Sequence, residues 1–343
     1  MNEGQRVGQL FLIGLNGDRL AADERAAILT DHFGSVWFTE NSPAGVAAIR
    51  SVSDAVQALT ADSAAGSGAA NVGFLIAANQ EGGLVQALSG PGFSTIPSAL
   101  TQGATSSAAL QADAARWGGE LRAAGINLDF APVTDVVPRG TETRNQPIGV
   151  LQREYGHDPA TVGSHAAAFV RGMTQAGILT VAKHFPGLGR VAGNTDFAAG
   201  VVDNLTSSND PNLAAFRSVI GADVPSVMIA LATYTRIDLH HLAAFSPVVI
   251  GTLLRGRLGF KGIVMSDDLG ATTAVANVPP ATRGIEFISA GGDMIISKTL
   301  QPAVAMAIAI TARASTDPAF RALVNEAVLR VLEMKQVVHL LSC

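Results

Sequence analysis

Eight apolar runs of strand character recur along the 343-residue chain, with stretches patterned for helices between them. The runs fall at 7–15 (VGQLFLIGL), 34–40 (GSVWFTE), 72–81 (VGFLIAANQE), 127–136 (NLDFAPVTDV), 178–186 (ILTVAKHFP), 226–234 (SVMIALATY), 262–268 (GIVMSDD) and 293–298 (DMIISK). Several stay apolar until a polar residue appears at the C-terminal end, the pattern of parallel strands buried on both faces. Amphipathic or Ala-rich stretches at 44–61, 106–124, 158–176 and 247–257 read as helices, and 317–341 as a closing one. Regular strand–helix alternation over eight units predicts an α/β fold, a (β/α)8 TIM barrel, as one domain over 1–343. A doubly wound sheet is the alternative, but the chain has no GxGxxG turn.

In a barrel of this kind, chemistry gathers at the C-terminal ends of the strands. Those ends carry Gln80-Glu81, Asp135, Lys183-His184 and Asp267-Asp268. Buried charge is costly, so each such group needs a partner or a ligand. In GIVMSDDLGA the two aspartates point to opposite sides if the strand runs through them. Asp268 is expected to cap a helix starting near Leu269, leaving Asp267 at the barrel mouth as nucleophile or electrostatic stabiliser. Lys183 and His184 read as a ligand-holding pair. The loop after them has Gly187, Gly189 and Gly193, which permit it to fold over a site, and it delivers Asn194 and Asp196. Two carboxylates flanking one bond, here Asp267 and Asp196, are what glycoside hydrolysis needs. Arg153 has no evident structural task and is free to bind substrate oxygens. Glu81 fits an internal ion pair as well as a ligand contact, and His157-Asp158-Pro159 reads as a helix start capped by Asp158.

Composition narrows the classes. The chain is 48% hydrophobic and only 15% charged, with a net charge of −5. That implies a large core and no basic stripe for nucleic acid. The single cysteine, Cys343, allows no internal disulfide. No run reaches the length of a membrane span. The start, MNEGQRVGQLFLIG, lacks the features of a signal peptide, which leaves a cytoplasmic protein or one whose leader is missing from this sequence. His157, His165, His184, His240 and His241 show no HxxxH or HExxH spacing, and no GxSxG elbow is present. No metal and no cofactor is expected.

The motifs NQEGGLVQ, NLDFAPVTDV, REYGHDP, KHFPGLG, GFKGIVMSDDLGA and AGGDMII run in order through most of the chain. Together they resemble glycoside hydrolase family 3, in its single-domain β-N-acetylhexosaminidase branch, which trims peptidoglycan sugars. The resemblance implies a barrel enzyme working by retaining double displacement on a carbohydrate partner, as a monomer or weak dimer. It puts the nucleophile on Asp267 and contacts to sugar hydroxyls and acyl group on Arg153, Lys183 and His184.

The chain also departs from the family pattern. Where relatives read KHFPGHG followed by D-x-H, with the histidine as acid/base, this chain has Leu188, Asn194 and Asp196. Asn79 stands for the sugar-binding aspartate before QEGG, and Ala87 for an arginine. Two readings follow. In one, the chain is a working exo-β-glycosidase with Asp196 as acid/base, and Asn79, Asp135 and Asn194 join the substrate contacts. In the other, the barrel keeps the sugar pocket but binds without turnover or serves other chemistry. Transfer to phosphate rather than water is a third possibility.

Overall fold

The computed structural model describes residues 1–60 and 72–341. Cys343 and the last residue of the 44–61 helix lie outside the described residues. Eight parallel strands close into a barrel: β1 Phe11–Leu15, β2 Ser35–Phe38, β3 Leu75–Ala78, β4 Leu128–Asp129, β5 Leu179–Phe185, β6 Ser226–Ile229, β7 Ile263–Asp268 and β8 Met294–Ser297. Neighbours in sequence are neighbours in space, and β8 closes the ring by pairing Ile295 with Phe11 and Ile296 with Leu12. All eight sequence-predicted strands are present, and the (β/α)8 barrel holds.

The edges differ for local reasons. Residues 7 and 8 belong to helix α1 (Glu3–Gly8), not to the first strand. Asn2 caps that helix and Gln5 returns the bond, a reciprocal capping box that outweighs the apolar run. The run at 127–136 pairs as a strand only over Leu128–Asp129. Pro132 removes a donor there, and the chain follows β5 through Thr134 N–H to Lys183 O at 2.6 Å. Beyond β3, Gln80–Gly82 pairs antiparallel with Val85–Gln86. Beyond β6, Thr233–Arg236 pairs with Val202–Ser207.

Helices α2 (Ala22–Asp31), α3 (Gly45–Ala58), α4 (Ser107–Ala123), α5 (Pro159–Gln175), α6 (Leu213–Ile220), α7 (Pro280–Ser289), α8 (Leu300–Thr316) and α9 (Pro318–Val337) surround the barrel. Asp158 caps α5 as predicted, accepting from Ala160 N and Thr161 N. The stretch at 247–257 is helical as expected, but wound as a π-helix over Val248–Arg257. Strands β1 to β6 and β8 are buried throughout, whereas β7 emerges at Asp267 and Asp268. That emergence brings two carboxylates to the open end of the barrel.

Candidate active site

A cavity of about 440 Å³ opens over the C-terminal strand ends, lined among others by Asn79, Arg153, Lys183, His184, Asn194, Asp196 and Asp267. Seven of the eight sequence-predicted site residues therefore share one space. Among the described residues no group of three His, Cys, Asp or Glu side chains is placed to hold a metal, and no helix is long and apolar enough to cross a membrane.

Arg153 and Lys183, which line the cavity, are joined through Glu81 in an ion cluster. Glu81, just beyond β3, accepts Arg153 Nε at 2.8 Å and Nη2 at 2.7 Å, and meets Lys183 Nζ at 2.6 Å. Burial alone would raise the Glu81 carboxyl, but the charges and hydrogen bonds of Arg153 and Lys183 outweigh it and hold it at about 2. Burial would likewise discharge Arg153, and Glu81 reverses that, keeping it firmly cationic. So Glu81 settles as the internal ion pair, and Arg153 does have a structural task. Its Nη1 also donates to Pro147 O at 2.8 Å, which leaves two of its five N–H groups for a ligand. Lys183 Nζ donates to Asn79 Oδ1 at 2.9 Å.

Asp135 corrects one expectation. Its carboxylate is fully buried behind His184 and does not line the cavity. It accepts His184 Nδ1 at 2.8 Å, His184 N at 3.2 Å and Leu188 N at 2.7 Å. A carboxylate only accepts, so Nδ1 carries the proton, and in the neutral ring Nε2 is the acceptor. Asp135 therefore orients a cavity residue from behind it.

The loop after β5 lies over the site and is pinned there. Asn145 Nδ2 donates to Leu188 O and Val191 O, each at 2.7 Å, and Tyr234 Oη donates to Gly187 O at 2.9 Å. Gly189 is required by close approach, since a Cβ there would sit 1.9 Å from Val136 O. Further along, Thr273 N donates to Asp196 O and Ala274 N to Thr195 O, both at 3.1 Å. These bonds tie the loop to the segment that follows β7. Asn194 Oδ1 accepts Asp196 N at 3.0 Å, so the amide shapes the turn that presents Asp196.

Asp267 Oδ1 accepts the N–H of Asp268 at 2.8 Å. Asp268 caps no helix at Leu269, contrary to expectation. It accepts Gly270 N, Ala271 N and Lys298 N, closing a turn and fastening it to the end of β8. The Asp196 carboxyl is raised above the usual range, first by desolvation in the cavity mouth and then by the charge of Asp267, with His184 and Arg153 opposing. Asp268 is raised too, by burial first, against its three backbone hydrogen bonds.

Sequence reading passed over Asp129. This fully buried carboxyl ends β4, and its Oδ1 accepts Gln80 N at 3.0 Å while Oδ2 has no hydrogen-bond partner among the described residues. Burial, against that hydrogen bond and Lys183, pushes it up to about 7. In the structure Asp129 ends its strand, but in the sequence it stands inside the longer run NLDFAPVTDV. Trp37 and Phe130, whose rings meet edge to face at 5.6 Å, complete part of the wall.

The model of the glycosyl hydrolase family 3 N-terminal domain matches residues 4–334. The chain belongs to glycosyl hydrolase family 3. It is thus a glycoside hydrolase by family. It is 34% identical over 300 residues to a beta-hexosaminidase of Stenotrophomonas maltophilia, spanning 84% of this chain and 82% of that one. Its fold is similar to a beta-N-acetylhexosaminidase from Beutenbergia cavernae, with a TM-score of 0.94, 46% identity and coverage of 98% and 99%. It is also similar to a family 3 beta-N-acetylglucosaminidase from Paenibacillus, with a TM-score of 0.89, 28% identity and coverage of 99% and 63%. The motifs meet the cavity at particular residues: NQEGG at Asn79, KHFPGLG at Lys183, His184 and Leu188, and SDD at Asp267 and Asp268. Leu188, in the place of the second motif histidine, is buried.

Proposed function

We propose that the protein is a retaining exo-β-glycosidase that releases β-linked N-acetylglucosamine. Asp267 attacks the anomeric carbon while Asp196 gives its proton to the departing glycosidic oxygen. Asp196, now a carboxylate, then takes a proton from the water that breaks the Asp267 ester and releases the sugar. Lys183, His184, Arg153 and Asn79 hold the sugar, with Asn194 setting the turn and Asp135 setting the ring.

One observation carries this reading: Asp196 shares the cavity with Asp267, and Asp267 helps to raise it. A carboxyl whose proton affinity its surroundings raise suits the task of proton donor, and a second carboxylate in the same cavity suits that of nucleophile. The names of the relatives support the choice of N-acetylhexosaminide as substrate.

The test is hydrolysis of aryl β-N-acetylglucosaminide beside aryl β-glucoside, with the first-formed anomer read by proton NMR. Preference for the acetamido sugar with β product first is expected. A rival reading, a sugar-binding barrel without turnover, draws on Asn79: its Oδ1 is taken up by Lys183, so it offers a sugar an amide donor where an aspartate would offer a charged acceptor. Tight binding of N-acetylglucosamine without hydrolysis of either aryl glycoside favours that rival.

A further inference from the structure

Phe197 follows the candidate acid/base directly, and it is 81% exposed while lining the cavity. Scattered exposed apolar residues are ordinary, but this one stands on a fixed backbone at a polar site. Phe197 N donates to Asn194 O at 3.1 Å, and the two preceding carbonyls are bound by Ala274 N and Thr273 N. None of the ring–ring contacts among the described residues uses it.

The polar side chains of Lys183, His184, Arg153 and Asn79 mark the part of the cavity fit for a hydroxyl-rich sugar. An acid that protonates a glycosidic oxygen lies between that sugar and the leaving group. The residue after it, turned outward at the rim, flanks the leaving group. We infer that Phe197 is a platform for the aglycone, stacking its face on the apolar face of a second pyranose ring, that of a β-linked N-acetylhexosamine disaccharide. The inference rests on the function proposed above. A held aromatic face offers such a ring area and geometry at little entropic cost.

Titration calorimetry in an Asp267→Asn background, with N-acetylglucosamine and N,N′-diacetylchitobiose as probes, separates the two ideas. The disaccharide is expected to bind about tenfold more tightly than the monosaccharide. Phe197→Ala is expected to bring that ratio close to one, and Phe197→Tyr to retain it. A ratio near one in the parent, or one that survives Phe197→Ala, overturns the platform. If the native chain fails to cleave the disaccharide while the ratio behaves as expected, the hydrolase reading falls and the platform stands.

Discussion

His184 is gripped twice by Asp135, which accepts its ring Nδ1 at 2.8 Å and its backbone N–H at 3.2 Å. The second grip fixes the chain at the end of β5, and the first fixes the tautomer that faces the cavity. In Asp135→Asn the amide oxygen can still accept Leu188 N, but the amide nitrogen meets Nδ1 with a hydrogen and drives the ring to its other tautomer. The expected result is a loss of kcat/KM of about 10- to 100-fold, with circular dichroism unchanged. Steady-state kinetics on an aryl β-N-acetylglucosaminide checks it.

Asp129 predicts a pH dependence of stability. Its folded carboxyl is pushed to about 7, above the ordinary value of about 3.9 in the unfolded chain. Below that lower value both states are protonated, and the group has no effect. Between the two values the unfolded chain releases its proton while the folded chain keeps it, so stability falls as pH rises; beyond about 7 the cost is constant. Asp129→Asn keeps the acceptor for Gln80 N and cannot ionise in either state. Denaturant melts at several pH values are expected to show the variant gaining on the native chain between pH 4 and pH 7, by up to a few kcal/mol. Parallel curves contradict it.

Asp196 predicts a pH dependence of turnover. A donor acts only while protonated, so the alkaline limb of the kcat/KM profile marks its titration, raised above the usual carboxylate range. Asp196→Ala is expected to remove that limb and to lose activity on N,N′-diacetylchitobiose by about 100- to 10,000-fold. Aryl glycosides with good leaving groups need little protonation and are expected to retain far more. Undiminished disaccharide cleavage by the variant contradicts the assignment.

The barrel was legible because its strands are short apolar runs, several followed at once by polar groups, and period and length survive without any knowledge of contacts. Lys183, His184 and Asp267 were legible for the same reason: charge at a strand end stands out. Asp135 carried that signal too, but the sequence does not say whether a strand-end carboxylate faces the cavity or the residue in front of it. The link between Glu81 and Arg153 spans 72 positions, and no local pattern announces a partner that far away. Asp268 misled because Ser-Asp-Asp before Leu-Gly is equally good chemistry for a helix cap and for the turn that ties β7 to β8. Asp129 went unread because its strand run continues through apolar residues and hides the charge.

The central claim is that Asp267 forms the covalent bond to the sugar. It is tested most directly by incubating the native protein with a fluorinated N-acetylglucosaminyl donor that forms the ester and resists its hydrolysis, then mapping the adduct by peptide mass spectrometry. The account predicts one added glycosyl group per chain on the peptide containing Asp267, absent in Asp267→Ala. No adduct, or one on Asp268 or Asp196, contradicts it.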